Sequence, residues 1–171
     1  GYLIKWNPAV KTQADKDALW KALLDDRIDV IATDHAPHTL EEKINPYMTC
    51  PSGGPLVQHA VVAMFEAHHQ GKISVEKIVE KMCHNPAKIF KIEKRGFIKE
   101  GYYADIAIVN AYLPWNVKKE NILYKCGWSP FEGYNFKSRV THTFVNGKLV
   151  YHNGKVKETK VGQRLLFDRK L

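Results

Sequence analysis

Asp29-Val30-Ile31-Ala32-Thr33-Asp34-His35-Ala36-Pro37-His38 runs from a β-branched apolar stretch directly into an acid and two histidines. A short apolar run of this kind reads as a buried strand, and Pro37 forbids its continuation inside a sheet. The strand therefore delivers one carboxylate and two imidazoles to the mouth of the next loop. Strand ends are where α/β barrels keep their chemistry.

Working upstream, Tyr2-Leu3-Ile4-Lys5-Trp6 alternates weakly and stops at Asn7-Pro8, which predicts a short strand with Asn7 at its end. Thr12 stands three residues before Asp15, a capping-box start for a helix to about Asp25 with Ala14, Ala18, Leu19, Ala22 and Leu23 on one face. Strand, helix and strand with short joints is the α/β barrel repeat.

Downstream, residues 39–54 show neither the helical nor the strand period and contain Pro46, Pro51, Ser52, Gly53 and Gly54. A long loop beside a functional strand end commonly covers or grips a ligand, and it also suits a plain flexible connection. Pro55 then opens a helix through Ala67, Gly71 ends it, Ser74 caps another through Met82, and Asn85-Pro86 starts a third. His59, His68 and His69 lie on or near the first of these without a partner at ligand spacing, so we assign them to surface or packing. From about Lys91 the texture turns to strands. Ile106 to Val109 follows a turn at Gly101, and Arg139–Val145 and Lys148–Tyr151 flank Asn146-Gly147, a strong hairpin signal. His152-Asn153-Gly154 marks a second turn.

The 171 residues are 44% hydrophobic and 26% charged, the balance of an ordinary globular chain. No apolar run reaches the length of a membrane span, and no basic-then-apolar leader opens the sequence, so we expect a cytoplasmic location and no membrane partner. Three cysteines without metal-type spacing indicate neither a disulfide framework nor a zinc knuckle. The net charge of +8 comes from lysines spread along the chain, with no nucleic-acid motif beside them. They read as solvated surface. The chain opens straight into an element, and we read it as part of a longer protein.

Thr33-Asp34-His35-Ala36-Pro37-His38 also resembles the signature hexapeptide of dihydroorotases, zinc enzymes of the amidohydrolase superfamily. Asn7-Pro8-Ala9-Val10-Lys11 is similar to that family's Asn-Pro-Pro-Leu-Arg motif, with Lys11 replacing a two-pronged arginine by a point charge. Pro51-Ser52-Gly53 falls where the family uses Pro-x-Gly. Asn85-Pro86-Ala87-Lys88-Ile89-Phe90 and Ser129-Pro130-Phe131-Glu132-Gly133 resemble further family markers.

The resemblance implies the last part of a TIM-type (β/α)8 barrel in residues 1–91, followed by a small β-sandwich-like domain in residues 92–171. It implies Asp34 as both metal ligand and general acid/base, and His38 as a donor to a substrate carboxylate. It further implies Asn7, Ser52 and Gly53 as substrate contacts, Gly53 because the backbone there approaches closely. Asn7 serves equally well as a turn former before Pro8. His35 reads either as a donor orienting Asp34 or as a buried, satisfied histidine. Two zinc ions are implied, whose other ligands are absent from this sequence, since no His-x-His occurs in it. The implied reaction is reversible interconversion of N-carbamoyl-L-aspartate and L-dihydroorotate in pyrimidine synthesis, the fragment alone being inactive and pairing with the missing N-terminal half or with itself. The alternatives are a non-catalytic scaffold relative, or an allantoinase or dihydropyrimidinase.

Overall fold

The structure, a computed structural model, describes residues 1–9 and 11–168; Val10 of the Asn7 motif and residues 169–171 of the second segment lie outside it. The elements in chain order are α1 (Gln13–Leu24), α2 (Leu40–Lys43), α3 (Ala60–His69), α4 (Val75–Val79), α5 (Asn85–Ile89), β1 (Ile106–Asn110), β2 (Trp115–Asn116), β3 (Asn135–Phe136), β4 (Arg139–Val145), β5 (Lys148–His152) and β6 (Lys155–Val156).

The capping box of α1 forms as its spacing predicts: the Thr12 side chain accepts from the Asp15 N–H, and the Asp15 carboxylate accepts from the Thr12 N–H at 3.0 Å. The helix buries Leu23 and rests Trp20 on the core, whereas Leu19 is 60% exposed. Leu19 faces a groove that Val30 and Ala32 also line.

Both expected N-terminal strands are corrected. Tyr2–Ile4 is a single 3-10 turn, and residues 29–34 are irregular backbone, neither helix nor strand. A strand exists through its neighbours, and among the described residues no strand pairs with either segment, which leaves an isolated bridge between His35 and Gly54 just beyond the second. The segment at residues 29–34 is held by helical residues instead. Ile31 N–H donates to the Lys81 carbonyl at 3.1 Å, the Lys81 ammonium donates to the Ile28 carbonyl, and Asn85 Nδ2 donates to the Asp29 carbonyl at 2.8 Å.

Asn85 is thus no cap. Its backbone is helical, and α4 continues through a π turn at Glu80–His84 into α5 as one run. The helix expected from Pro55 begins only at Ala60, and the turn before it is held by side chains: Leu56 and Val57 donate to His35 Nδ1, and Gln58 donates to the Tyr124 hydroxyl.

Helix α3 joins the two halves of the chain. Phe65 and Ala67 pack with Leu23, Ile73 and Ile78, while Val62 packs with Val117 and Phe136. The sheet is antiparallel in the order β1-β4-β5-β6, and β2 and β3 form a separate pair. Both predicted turns appear with consecutive positive φ, at Asn146 (50°) and Gly147 (76°), and at Asn153 (45°) and Gly154 (88°). That is the pattern whose twist matches the flanking strands.

Candidate active site

Three segments converge on the end of the stretch at residues 29–34. The Gly53 N–H donates to the Lys5 carbonyl at 2.9 Å, the Ala36 N–H donates to the Gly54 carbonyl at 3.3 Å, and His38 Nε2 meets the Ser52 carbonyl at 3.1 Å. Residues 5–6, 34–38 and 51–54 therefore form one cluster, and four of the five sequence-predicted site residues take part through themselves or their immediate neighbours. Asn7 stands two residues beyond Lys5. It is exposed, follows no hydrogen bond of its own among the described residues, and precedes Pro8 through a cis peptide.

Asp34 sits in the left-handed region at φ 44°. Aspartate is one of the few residues that tolerates it, and such conformations concentrate at functional positions. Its carboxylate is exposed and has no hydrogen-bond partner among the described residues, so it is available to a ligand.

The two histidines beside it are anchored. His35 Nδ1 accepts from two backbone N–H groups at 3.1 and 3.4 Å, which fixes that nitrogen as an unprotonated acceptor and leaves no bond to Asp34. His35 is exposed and satisfied, not buried. His38 bridges: Nε2–H holds the Ser52 carbonyl, and Nδ1 faces Glu42 Oε2 at 3.4 Å. Glu42 is itself fixed by a capping box in which the Thr39 side chain and backbone pair with it around α2. The pattern Thr39-x-x-Glu42 was the sequence signal for this short helix within a loop that looks aperiodic.

The loop across the cluster is held by two lysines. Lys43, fully buried, donates to the carbonyls of Pro51 (2.9 Å) and Gly53 (3.0 Å). Burial pushes its ammonium below the usual lysine range. Lys5 donates to the carbonyls of Tyr47 (2.7 Å) and Cys50 (2.8 Å). Gly53 has φ 104°, and a Cβ there would lie 2.7 Å from the Ala36 Cβ. Its N–H and C=O are both engaged within the chain, while Ser52 keeps its N–H and hydroxyl without partners among the described residues.

Sequence reasoning missed Trp128 as a member of this site. The indole is 4% exposed, and its N–H donates to the His38 carbonyl at 2.8 Å. A Cβ on Gly54 would lie 2.8 Å from the Trp6 ring and 3.2 Å from the Trp128 ring. The residue after it, Ser129, reaches the buried ring of His59 at 3.2 Å. The Ser-Pro-Phe-x-Gly marker thereby fastens a distant part of the chain under the cluster.

His59, His68 and His69 serve packing, as expected. His68 Nδ1 meets the Ile73 carbonyl, and His69 Nε2 meets the Ala111 carbonyl and Ser138. His59 is fully buried among Trp115, Phe131 and Phe136, and burial pushes its imidazole down to about 4. The three cysteines are free.

Among the described residues no group of three or more histidine, cysteine, aspartate or glutamate side chains could hold a metal ion. A stable zinc site takes three or four protein ligands. The described residues by themselves do not supply that set.

The sequence matches the Amidohydrolase family over residues 10–150. It is 38% identical over 164 residues to a dihydroorotase of Pyrococcus furiosus, covering 96% of this chain and 38% of that protein. It is 42% identical over 149 residues to a dihydroorotase of Endomicrobium trichonymphae, covering 86% of this chain and 35% of that one. The fold is similar to that of an L-hydantoinase (dihydropyrimidinase) from Arthrobacter aurescens, with a TM-score of 0.85 and 27% identity over 92% of this chain and 36% of the other. The chain thus spans under two-fifths of the length of these relatives. With a match across most of its residues and a mixed helix and sheet structure shared with a cyclic amidase, this chain belongs to the amidohydrolase family.

Proposed function

We propose that the complete polypeptide is a zinc-dependent dihydroorotase, interconverting N-carbamoyl-L-aspartate and L-dihydroorotate in pyrimidine synthesis, with residues 1–91 completing a (β/α)8 barrel and residues 92–171 a small β domain. The observation that carries the reading is Asp34: a solvent-facing, unpartnered carboxylate in a strained backbone, inside a hexapeptide whose two histidines are both fixed to the surrounding loops.

Opening a cyclic amide requires a group that takes a proton from the attacking water and returns it to the leaving nitrogen. Asp34 has the chemistry and the freedom for both. Asp34 would be the ligand this chain contributes to a divalent metal, which when bound would supply an acidified water and a polarising charge for the carbonyl, and the other ligands would come from outside these 171 residues. His38 lies where its imidazole, together with the nearby cations of Lys5 and Lys43, favours an anionic substrate. Ser52 offers its free N–H and hydroxyl to the ring, Gly53 shapes the backbone that presents them, and Asn7 adds an amide from the facing turn. The segment at residues 29–34, which has no partner strand among the described residues, and the groove beside α1 are covered by the remainder of the polypeptide.

The test is an assay of the full-length protein against dihydroorotate, dihydrouracil and allantoin. Turnover of dihydroorotate supports the proposal. Activity confined to dihydrouracil or allantoin would transfer the protein to another cyclic amidase, and no activity on any of the three would leave the scaffold reading.

A further inference from the structure

The Asp34 carboxylate is exposed and has no hydrogen-bond partner among the described residues, so its place is set by the backbone that carries it. That backbone is gripped at two points by one segment from the far half of the chain. The Tyr124 ring lies with its centre 5.3 Å from that of His35, the residue next to Asp34, within the range of an aromatic pair. Four residues on, the Trp128 indole N–H donates to the His38 carbonyl at 2.8 Å.

Both side chains are anchored at their other ends. The Tyr124 hydroxyl accepts from the Gln58 N–H at 2.9 Å and meets His59 Nδ1 at 3.2 Å. Gln58 ties the same segment twice more: its Nε2 donates to the Asn121 carbonyl and its Oε1 accepts from the Leu123 N–H, each at 2.8 Å. The Trp128 ring is buried against Gly54, and the adjacent Ser129 hydroxyl reaches His59 Nδ1 at 3.2 Å. His38 passes the grip on, since its imidazole holds the Ser52 carbonyl at 3.1 Å.

We propose that Tyr124 and Trp128 are positioning residues of the Asp34 site, Tyr124 setting His35 and with it the Asp34 carboxylate, Trp128 setting His38 and with it the Ser52 loop. The inference rests on the roles proposed above for Asp34 in proton transfer and for Ser52 in holding the substrate. The two grips then act on different quantities. A misplaced proton carrier slows turnover, whereas a misplaced loop weakens substrate binding.

The experiment compares variants of the full-length protein in steady-state kinetics on dihydroorotate, per molecule of folded enzyme. Tyr124→Leu should lower kcat by about tenfold with KM within about twofold, and Tyr124→Phe, which keeps the ring on His35, should recover most of that loss. Trp128→Phe removes the N–H and keeps an aromatic ring, and should raise KM by about fivefold or more with kcat within about twofold. Val62→Ala loosens the core between α3 and Phe136 away from the site, and should change neither constant. A second readout is independent of activity. Nitrogen NMR of the imidazoles at alkaline pH should find His38 in its Nε2–H form in the parent protein, with the Nδ1–H form appearing in Trp128→Phe as Ser52 is released and Glu42 is left as the facing acceptor. Val62→Ala should keep the Nε2–H form. An unchanged KM in Trp128→Phe, or a Tyr124→Phe variant as slow as Tyr124→Leu, overturns the proposal. Should the parent protein fail to turn over dihydroorotate, the dihydroorotase reading falls separately, and an unchanged His38 tautomer in Trp128→Phe overturns the positioning role on its own. The two grips are tested by different variants, so one that does not fold leaves the other to decide.

Discussion

Ile31 and Lys81, fifty residues apart, are joined by a backbone hydrogen bond of 3.1 Å that exists because a helix is locally underwound into a π turn. In an α-helix the Lys81 carbonyl would accept from the Asn85 N–H. Here Asn85 donates to Glu80 instead, a π turn, and Pro86 has no N–H to offer. The Lys81 carbonyl is left over, and the Ile31 N–H takes it. The Lys81 ammonium, on a side chain 1% exposed, reaches the Ile28 carbonyl and Asp26, so one residue holds the segment leading to Asp34 with both its backbone and its side chain.

Pro86→Ala supplies the missing N–H and removes the bias toward the π turn, so the Asn85 N–H competes for the Lys81 carbonyl. We expect the Ile31 amide to exchange with solvent about tenfold faster, a loss near 1 kcal/mol of local protection. Amides of β4 should be unchanged. Unaltered protection at Ile31 would show that the π turn does not tether the segment.

Gly54 lies between two indoles, and Gly53 against Ala36. Gly54→Ala would drive a methyl into the Trp6 and Trp128 rings at 2.8 and 3.2 Å, and we expect a loss of roughly 1–3 kcal/mol as for other overpacked sites. Gly53→Ala adds the strain of φ 104° to a 2.7 Å approach and should lose at least as much. Gly162→Ala, where nothing lies within 4 Å, is the control and should stay within about 0.5 kcal/mol. Urea denaturation of the three variants makes the comparison.

Asp34→Asn and His38→Ala should separate in steady-state kinetics of the full-length enzyme. The first removes the carboxylate that we propose carries the proton, and we expect kcat on dihydroorotate to fall by at least about 100-fold. The second releases the Ser52 carbonyl and with it the loop that we propose contacts the substrate, so KM should rise by about tenfold or more with a smaller change in kcat. Near-normal kcat in the Asp34 variant would remove it from the mechanism.

What could be read without coordinates follows from how local each signal is. The capping box at Thr12, the turns at Asn146-Gly147 and Asn153-Gly154 and the strands they join are decided within a few residues, and all are found. The Asp34 hexapeptide and the Pro51-Ser52-Gly53 loop could be paired only through resemblance, yet their contact through His38 and Ser52 is present. Residues 2–6 and 29–32 carry strand composition but need neighbouring strands to become strands. The roles of Trp128, Asn85 and Lys81 were beyond reach, because each acts on a segment between 50 and 90 residues away. Leu19 was misplaced for a simpler reason: helical periodicity gives a stripe, and the half-buried Trp20 shifts that stripe by one residue.

His59 makes stability depend on pH. The ring is fully buried, Nδ1 lies 3.2 Å from both the Tyr124 and Ser129 hydroxyls, and Nε2 is buried with no partner. Burial disfavours the imidazolium, so the native group titrates at about 4, below the ordinary histidine value of 6.5. Between those values the unfolded chain holds a proton that the native chain refuses, so stability rises with pH across this window and falls as acid is added. The full contribution is present above about pH 6.5 and is lost by about pH 4, a change on the order of 3 kcal/mol. His59→Gln keeps a polar side chain of similar reach without a titrating ring. The variant should start less stable at pH 7.5, since the ring packs on Trp115 and Phe136, but its unfolding free energy should vary less between pH 6.5 and 4.5. Urea titrations of both proteins at half-unit intervals measure this, and parallel pH curves would assign the acid sensitivity to other groups.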